Sequence, residues 1–488
     1  MSAAMIVTMV LCFAFSISVA VSIGLAALLG IGLFSDAQLF ELPRQAFLAI
    51  DRFPLLAIPF FILAGNLMEA GGISRRLVDF AKSIVGGVQG GLPMTCVLTC
   101  MIFAAVSGSS VATTFAIGAI LIPALIRHGY PRNWAASLQA TSAELGVIIP
   151  PSIPLILVGV SAEISIGELF IAGVGPGLMI GAALMLFVWI YCRWQGWGRQ
   201  DGDGKLPIAT ALEDLGALAG GLLAFWAGSG FVGPWFAAGA GEQDLERISD
   251  AAGLVLAIAY FVVLLLVPRV RAALLARASF ALLMPVVVLG GIYGGVFTPT
   301  EASVAAVFYA LVVGMFIYRE VKLRDLLPVL KKSVISSAVI MFIIANAGTF
   351  AWLIDRAGVP EQIGLWLRQA LETPELFLLG VNLALFVIGM FIETSAAIIV
   401  LAPILVPVAI YFGIDPVHFG IVMVVNLALG MITPPFGVNL FAACTVARIS
   451  LDQIVLRLLP FVGVIVACLM VITYFPPLSL FLRDLVYR

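Results

Sequence analysis

Apolar residues run along this chain in blocks of membrane length, and two of the blocks repeat. Candidate spans lie at about 5–34, 53–70, 91–126, 133–160, 169–192, 208–233, 251–268, 279–298, 301–318, 333–354, 374–410, 417–447 and 458–482. One helical crossing needs about 20 residues. Blocks 91–126 and 374–410 are too long for that. Each is interrupted near its middle, by Ser107-Gly108-Ser109-Ser110 in the first and by Gly389 to Thr394 in the second. Each predicts a re-entrant hairpin that enters, turns and leaves on one side. The blocks that follow, 133–160 and 417–447, carry LGVIIPPS and LGMITPPF. Adjacent prolines remove backbone donors and interrupt a helix, so each predicts a broken helix.

The two units align without a gap at an offset of 284 residues. Pro123 falls on Pro407, Gly129 on Gly413, Gly146 on Gly430, and Pro150-Pro151 on Pro434-Pro435. A repeat built from interrupted hydrophobic segments marks a secondary transporter, whose binding sites form at the breaks. The chain divides accordingly into a first repeat (1–204), an inserted two-helix hairpin (205–278) and a second repeat (279–488). Each repeat combines scaffold helices with its hairpin and broken helix.

Composition narrows the class. With 62% hydrophobic and only 11% charged residues among 488, the chain is expected to be an all-α polytopic membrane protein. Membrane lipid is then an obligatory partner. A net charge of −2 with no long basic run excludes nucleic acid. The run from Met5 to Phe34 lacks a basic start and a cleavage site, so it reads as a retained span rather than a signal peptide. The six cysteines lie in or beside apolar spans with no His or carboxylate partner and read as packing residues.

Loop charge sets the orientation, because Lys and Arg collect on cytoplasmic loops. Arg75, Arg76 and Lys82 precede the first hairpin, and Arg127, His128 and Arg132 follow it. The equivalent loop of the second copy, 411–416, has Asp415 and no base. The loop 161–168 has two acids, whereas its counterpart has Arg448 and Arg457. The sign reverses twice, which predicts two repeats inverted in the membrane. Arg483 and Arg488 fall on the predicted external side, against the rule.

Candidate chemistry sits at the breaks. Unwound backbone at membrane depth survives only where protein or water satisfies it. Carbonyls freed by the prolines, with nearby hydroxyls, form an oxygen cage suited to a small alkali cation. The first cage would use Ser107, Ser110, Gly146, Ile149 and Pro151, and the second Gly389, Gly430, Thr433 and Phe436. The competing reading is a proline kink whose glycines allow close packing. Kinks at equal register favour the cages. Half-helices that begin after Ser110 and Thr394 would aim positive ends at the midplane and favour an anionic cargo. Ser109, Ser110, Ser152, Thr394, Ser395 and Asn439 are the candidate polar contacts, against the alternative that each hydroxyl bonds its own helix. Glu393, an acid within an apolar segment, is costly unless paired or wetted. It serves either gating and coupling or a structural hydrogen bond. Glu301 reads as a helix cap.

Several stretches carry a family likeness: FFILAGNLMEAGGISRRLVDFA, SGSSVATTFAIG, GVIIPPSIPLILVG, GGIYGGVFTPTEA, PILVPVAIYFGIDPVHFG and NLALGMITPPFGVNLF. In their order and spacing the chain resembles the large, DctM-like membrane subunit of tripartite ATP-independent periplasmic (TRAP) transporters. The resemblance implies an elevator-type bacterial inner-membrane transporter driven by sodium ions. It implies a small DctQ-like membrane subunit, a DctP-like periplasmic substrate-binding protein and an organic-acid cargo. The family's sodium sites map onto the two cages, and its cargo-proximal serine onto Ser109. Ala143 replaces an expected Gly, Glu393 stands where Asp is commoner, and 206–268 looks inserted. The N-terminus leaves no room for a fused small subunit, which is expected as a separate chain.

Two other classes compete. A stand-alone carboxylate symporter of related inverted-repeat fold would need no binding protein. A membrane enzyme would need a catalytic motif, and no metalloprotease, nucleophile-elbow or nucleotide-loop pattern is present. The chain is expected not to be an enzyme.

Overall fold

The computed structural model describes residues 2–15, 17–35, 37–199, 278–359, 373–435 and 437–487, with a few isolated positions between. The expected insertion at 205–278 lies almost wholly outside them, as do Phe436 and Arg488. Among the described residues every regular element is a helix.

The N-terminal block is two helices rather than one span, α1 (Ser2–Ala14) and α2 (Val19–Phe34). Ser18 leaves helical geometry with ψ 144°, and the Ser22 hydroxyl bonds back to its carbonyl at 3.0 Å. Serine competes for nearby backbone in this way, a local effect that the unbroken apolar run conceals. There follow α3 (Glu41–Ile50), a 3-10 turn (Phe53–Leu56), α4 (Ala57–Ala70) and α5 (Ile73–Val85). The first hairpin is α6 (Gly91–Ser107) and α7 (Ser110–Arg127). Its broken helix is α8 (Arg132–Ala143), the short α9 (Leu145–Ile148) and α10 (Ile153–Ser161), bent by 42° at the break. The long α11 (Ile166–Gln195) closes the first unit.

Beyond 278 come α12 (Ser279–Tyr293), α13 (Pro299–Val312) and α14 (Leu323–Arg356). The second unit is α15 (Pro374–Gly389), α16 (Thr394–Tyr411), α17 (Pro416–Met431), α18 (Val438–Ala447) and α19 (Leu451–Tyr474), followed by α20 (Pro477–Tyr487). The sequence offset carries into the elements. Returning arms run from Ser110 to Arg127 and from Thr394 to Tyr411, and the next helices open at Arg132 and Pro416. Both Pro-Pro bonds are cis.

The packing of the two units is reciprocal. α7 lies on α18 while α16 lies on α10, and α8 lies on α19 while α17 lies on α11. Contacts exchanged in this way are what a two-fold relation produces. A separate group, α2, α3, α4, α13 and α14, packs largely on itself.

Polar contacts sort the loops onto two faces. On one, Arg76 meets Glu320 at 2.7 Å, Gln89 donates to the Trp197 carbonyl, Asn133 to the Gln453 carbonyl, and Arg457 to the Tyr191 hydroxyl. Tyr130, Trp134, Tyr191 and Trp197 cluster at the same end, as aromatic rings do at a membrane interface. On the other face Tyr474 donates to the Glu375 carbonyl. There Arg483 contacts Asp415 at 2.7 Å, Asp484 at 2.6 Å and Glu168 at 3.9 Å. Its guanidinium, only 7% exposed, is thus neutralised by acids from both units. Arg483 is therefore no free loop charge.

Candidate ion and cargo site

At the first break the hairpin tip turns through Gly108, whose φ of +61° suits a residue without Cβ. Ser109 then opens α7, and its side chain accepts from the Ala112 amide at 3.4 Å. The tip is pressed against the broken helix. The Ile153 amide donates to the Gly108 carbonyl at 3.3 Å, and a Cβ on Gly108 would stand 2.8 Å from the Pro151 carbonyl oxygen. A Cβ on Gly146 would stand 2.8 Å from Thr113 Oγ1 and 2.9 Å from the Ser109 carbonyl oxygen. Ser107 Oγ and Thr113 Oγ1 lie 3.0 Å apart, and Thr113 donates to the Ser109 carbonyl at 2.8 Å. Ser107, Gly146 and Pro151 of the first cage are thus gathered around one tip. Ile149 instead turns its side chain to Gly177 of α11.

The second break has the same plan with different contacts. Gly389 and Gly430 meet backbone to backbone, so that a Cβ on Gly389 would lie 3.1 Å from the Gly430 Cα. Thr433 donates to the Leu429 carbonyl at 2.8 Å, and its amide to the Gly430 carbonyl at 2.9 Å. Phe436 lies outside the described residues.

The cargo candidates fall into two groups. Asn439, fully buried in the first turn of α18, accepts from Thr114 at 2.6 Å and donates to the Ala140 carbonyl and to Glu144 at 2.8 Å. It joins the second unit to the first hairpin. Glu393 caps α16, accepting from the Ala396 amide at 3.2 Å and from Ser395 at 2.8 Å. The structural hydrogen bond weighed for Glu393 is therefore made, and its carboxylate already occupies the α16 N-terminus where an anionic cargo was expected. Thr394 Oγ1 is buried without a partner among the described residues. No hydrogen bond links Glu393, Thr394 or Ser395 to Ser109 or Asn439 among them. Ser152 is buried, with its hydroxyl on the Val147 carbonyl and accepting from the Leu155 amide. Both its roles are local, because it caps α10. Glu301 forms the expected cap, a capping box with Thr298.

Sequence reasoning passed over Glu144. Only 1% exposed, it stands where α8 yields to α9. Asn439 donates to Oε1, the Ser110 side chain faces the carboxyl, and Oε2 has no partner among the described residues. The signal was available, since a carboxylate inside an apolar membrane block marks function or tight pairing. Its partner Asn439 lies 295 residues away.

Interrupted helices, paired at equal register around buried polar groups, define a multi-pass membrane transporter. The profile of the tripartite ATP-independent periplasmic transporter, DctM component, matches residues 6–478, and the chain belongs to that family as a large permease subunit of the bacterial inner membrane. It is 37% identical over 463 residues to the C4-dicarboxylate TRAP transporter large permease protein DctM of Pseudomonas aeruginosa, covering 95% of this chain and 94% of that one. It is 36% identical to the isethionate TRAP transporter permease protein DctMQ of Oleidesulfovibrio alaskensis, covering 95% of this chain but 64% of that longer protein. Among solved structures, the YdaH transporter of Alcanivorax borkumensis superposes with a TM-score of 0.56 at 14% identity, over 95% of this chain and 97% of that one. That likeness concerns the fold alone. The relatives are permeases, not enzymes.

Proposed function

We propose that this subunit carries a small organic acid across the inner membrane by an elevator movement coupled to sodium ions. The observation that carries the reading is the reciprocal pair of breaks. The returning arm of each hairpin rests on the other unit's broken helix, and the first hairpin starts beside the Gln89 contact of the basic face while the second starts beside the Glu375 contact of the acidic one. Two inverted repeats around one midplane site are the arrangement alternating access uses. The cages around Ser107, Ser110, Gly146 and Pro151, and around Gly389, Gly430 and Thr433, would hold the ions through carbonyl and hydroxyl oxygens. Ser109, at the start of α7, is the leading cargo contact. The similar permeases are named for a dicarboxylate and for isethionate, a sulfonate, so an oxyacid anion is the shared cargo class. A small membrane subunit, present as the fused Q part in the name of one relative, and a periplasmic binding protein complete the transporter. Family membership favours this assembly over a stand-alone symporter.

The test is the sodium activation curve of uptake by the reconstituted complex. Thr433→Ala is expected to move half-activation to higher sodium by several-fold, and an unmoved curve removes the second ion site. Replacing Ser109 with Phe is expected to abolish uptake while sodium binding persists. Normal uptake excludes Ser109 from the cargo site.

A further inference from the structure

We propose that a pocket between the two units on the basic face binds the phosphate of an anionic phospholipid from the cytoplasmic leaflet. The cavity, about 530 Å³, is lined by Arg132, Asn133, Arg448, Ile449 and Gln453. It lies where α8 of the first unit meets the α18–α19 junction of the second. Asn133 seals that junction, donating to the Gln453 carbonyl at 3.3 Å while its Oδ1 accepts from the Trp134 amide at 2.9 Å.

Two features ask for an anion. Neither Arg132 nor Arg448 forms an ion pair with a carboxylate among the described residues. Both are exposed and line one cavity, so their like charges favour an anion there over a cation. Arg132 opens α8, where the helix dipole disfavours a cation and favours an anion. The offset equivalents of the pair are Pro416 and Ile164, so the second copy does not repeat the two arginines.

A phospholipid fits better than a soluble anion because the two helices that meet at the pocket carry exposed apolar side chains. Phe441 is 49% exposed, Leu456 78% and Leu459 57%, on the two helices that meet there. Basic pockets between membrane helices on the cytoplasmic side recognise anionic head groups, and arginine holds phosphate through paired donors.

The experiment uses the purified full-length chain in a neutral detergent. Phosphatidylglycerol or phosphatidylcholine is titrated in, and bound lipid is counted by native mass spectrometry. The unsubstituted chain is expected to prefer phosphatidylglycerol by about tenfold or more, as one or two charge-assisted hydrogen bonds give. Equal retention of the two lipids overturns the proposal without any variant. The double substitution Arg132→Gln with Arg448→Gln is expected to erase the preference. Arg457→Gln, on the same face but bonded to Tyr191, is expected to keep it. A preference that survives the double substitution overturns the assignment to this pocket. Displacement of the lipid by millimolar inorganic phosphate overturns the phospholipid as occupant in favour of a soluble anion.

Discussion

At the scale of single residues, two features of the breaks carry testable energy. Glu144 is the acceptor for Asn439 in a site closed to water. Removing an acceptor leaves a buried donor unpaired, at a cost of about 1–3 kcal/mol, more where charge is involved. Glu144→Ala is therefore expected to lower thermal stability in detergent clearly below that of Glu144→Gln, which keeps an oxygen for Asn439 Nδ2. Equal unfolding midpoints for the two variants would show that the contact carries no weight. The glycines provide a sharper contrast. Gly430→Ala drives a methyl into the Gly389 backbone, and overpacking of this kind costs about 1–3 kcal/mol or more. Gly32→Ala meets nothing within 4 Å and lies inside α2. There it is expected to be neutral or stabilising by up to about 1 kcal/mol. If the two substitutions behave alike in an unfolding assay, close packing is not what Gly430 is for.

At the scale of elements, one arginine ties α20 to the rest of the molecule. Arg483 reaches from α20 to Asp415 ahead of α17 and toward Glu168 on α11. Burial alone would raise the Asp415 carboxyl, but the hydrogen bond and charge of Arg483 hold it below its ordinary 3.8. A carboxyl whose value is depressed by folding stabilises above its unfolded value and loses that contribution as pH falls through the folded one. The α20 contact is thus complete at neutral pH and weakens only below about pH 4. Breaking a largely buried ion pair from one side costs about 3–5 kcal/mol, and water reaching Asp415 trims this to about 2. Asp415→Asn at pH 7 is expected to speed proteolytic release or amide exchange of α20 relative to the parent chain at the same pH. Unchanged exchange in the variant would mean that apolar contacts alone retain the helix. Much at this scale was legible beforehand. The helix ends at Ser107 and Ser110, at Gly389 and Thr394, and at both Pro-Pro pairs, with their shared offset, followed from Gly and Pro, whose backbone chemistry is local. What stayed hidden depended on distance in sequence or on subtle local bonding. Arg483 made sense only with acids from two remote loops, Glu144 only with Asn439, and the α1–α2 break only with the Ser18 backbone.

At the scale of the whole molecule, an elevator requires one group of helices to slide past another. A cleft of about 700 Å³ lies where the proposed movement would need such a boundary. Arg52–Pro54 and Thr298–Thr300, next to α4 and α13, line one wall, and Gly159–Gly167 from the end of α10 and the start of α11 line the other. Arg52 and Glu163 approach to 3.7 Å across it, with side chains 48% and 80% exposed. An ion pair that exposed contributes about 0–1 kcal/mol, too little to hold a carrier still. It is instead a position where a covalent bridge reports motion. Arg52→Cys with Glu163→Cys, joined by a short bifunctional thiol reagent, is expected to reduce uptake by the reconstituted complex to background, and each single variant to transport normally. The described native cysteines are buried except Cys12, which is half-buried, so the single variants also serve as the labelling control. Full uptake after quantitative cross-linking would mean that these two walls move as one body. The sliding boundary would then lie elsewhere, and the reciprocal breaks would need a different account of how they expose a site to each side in turn.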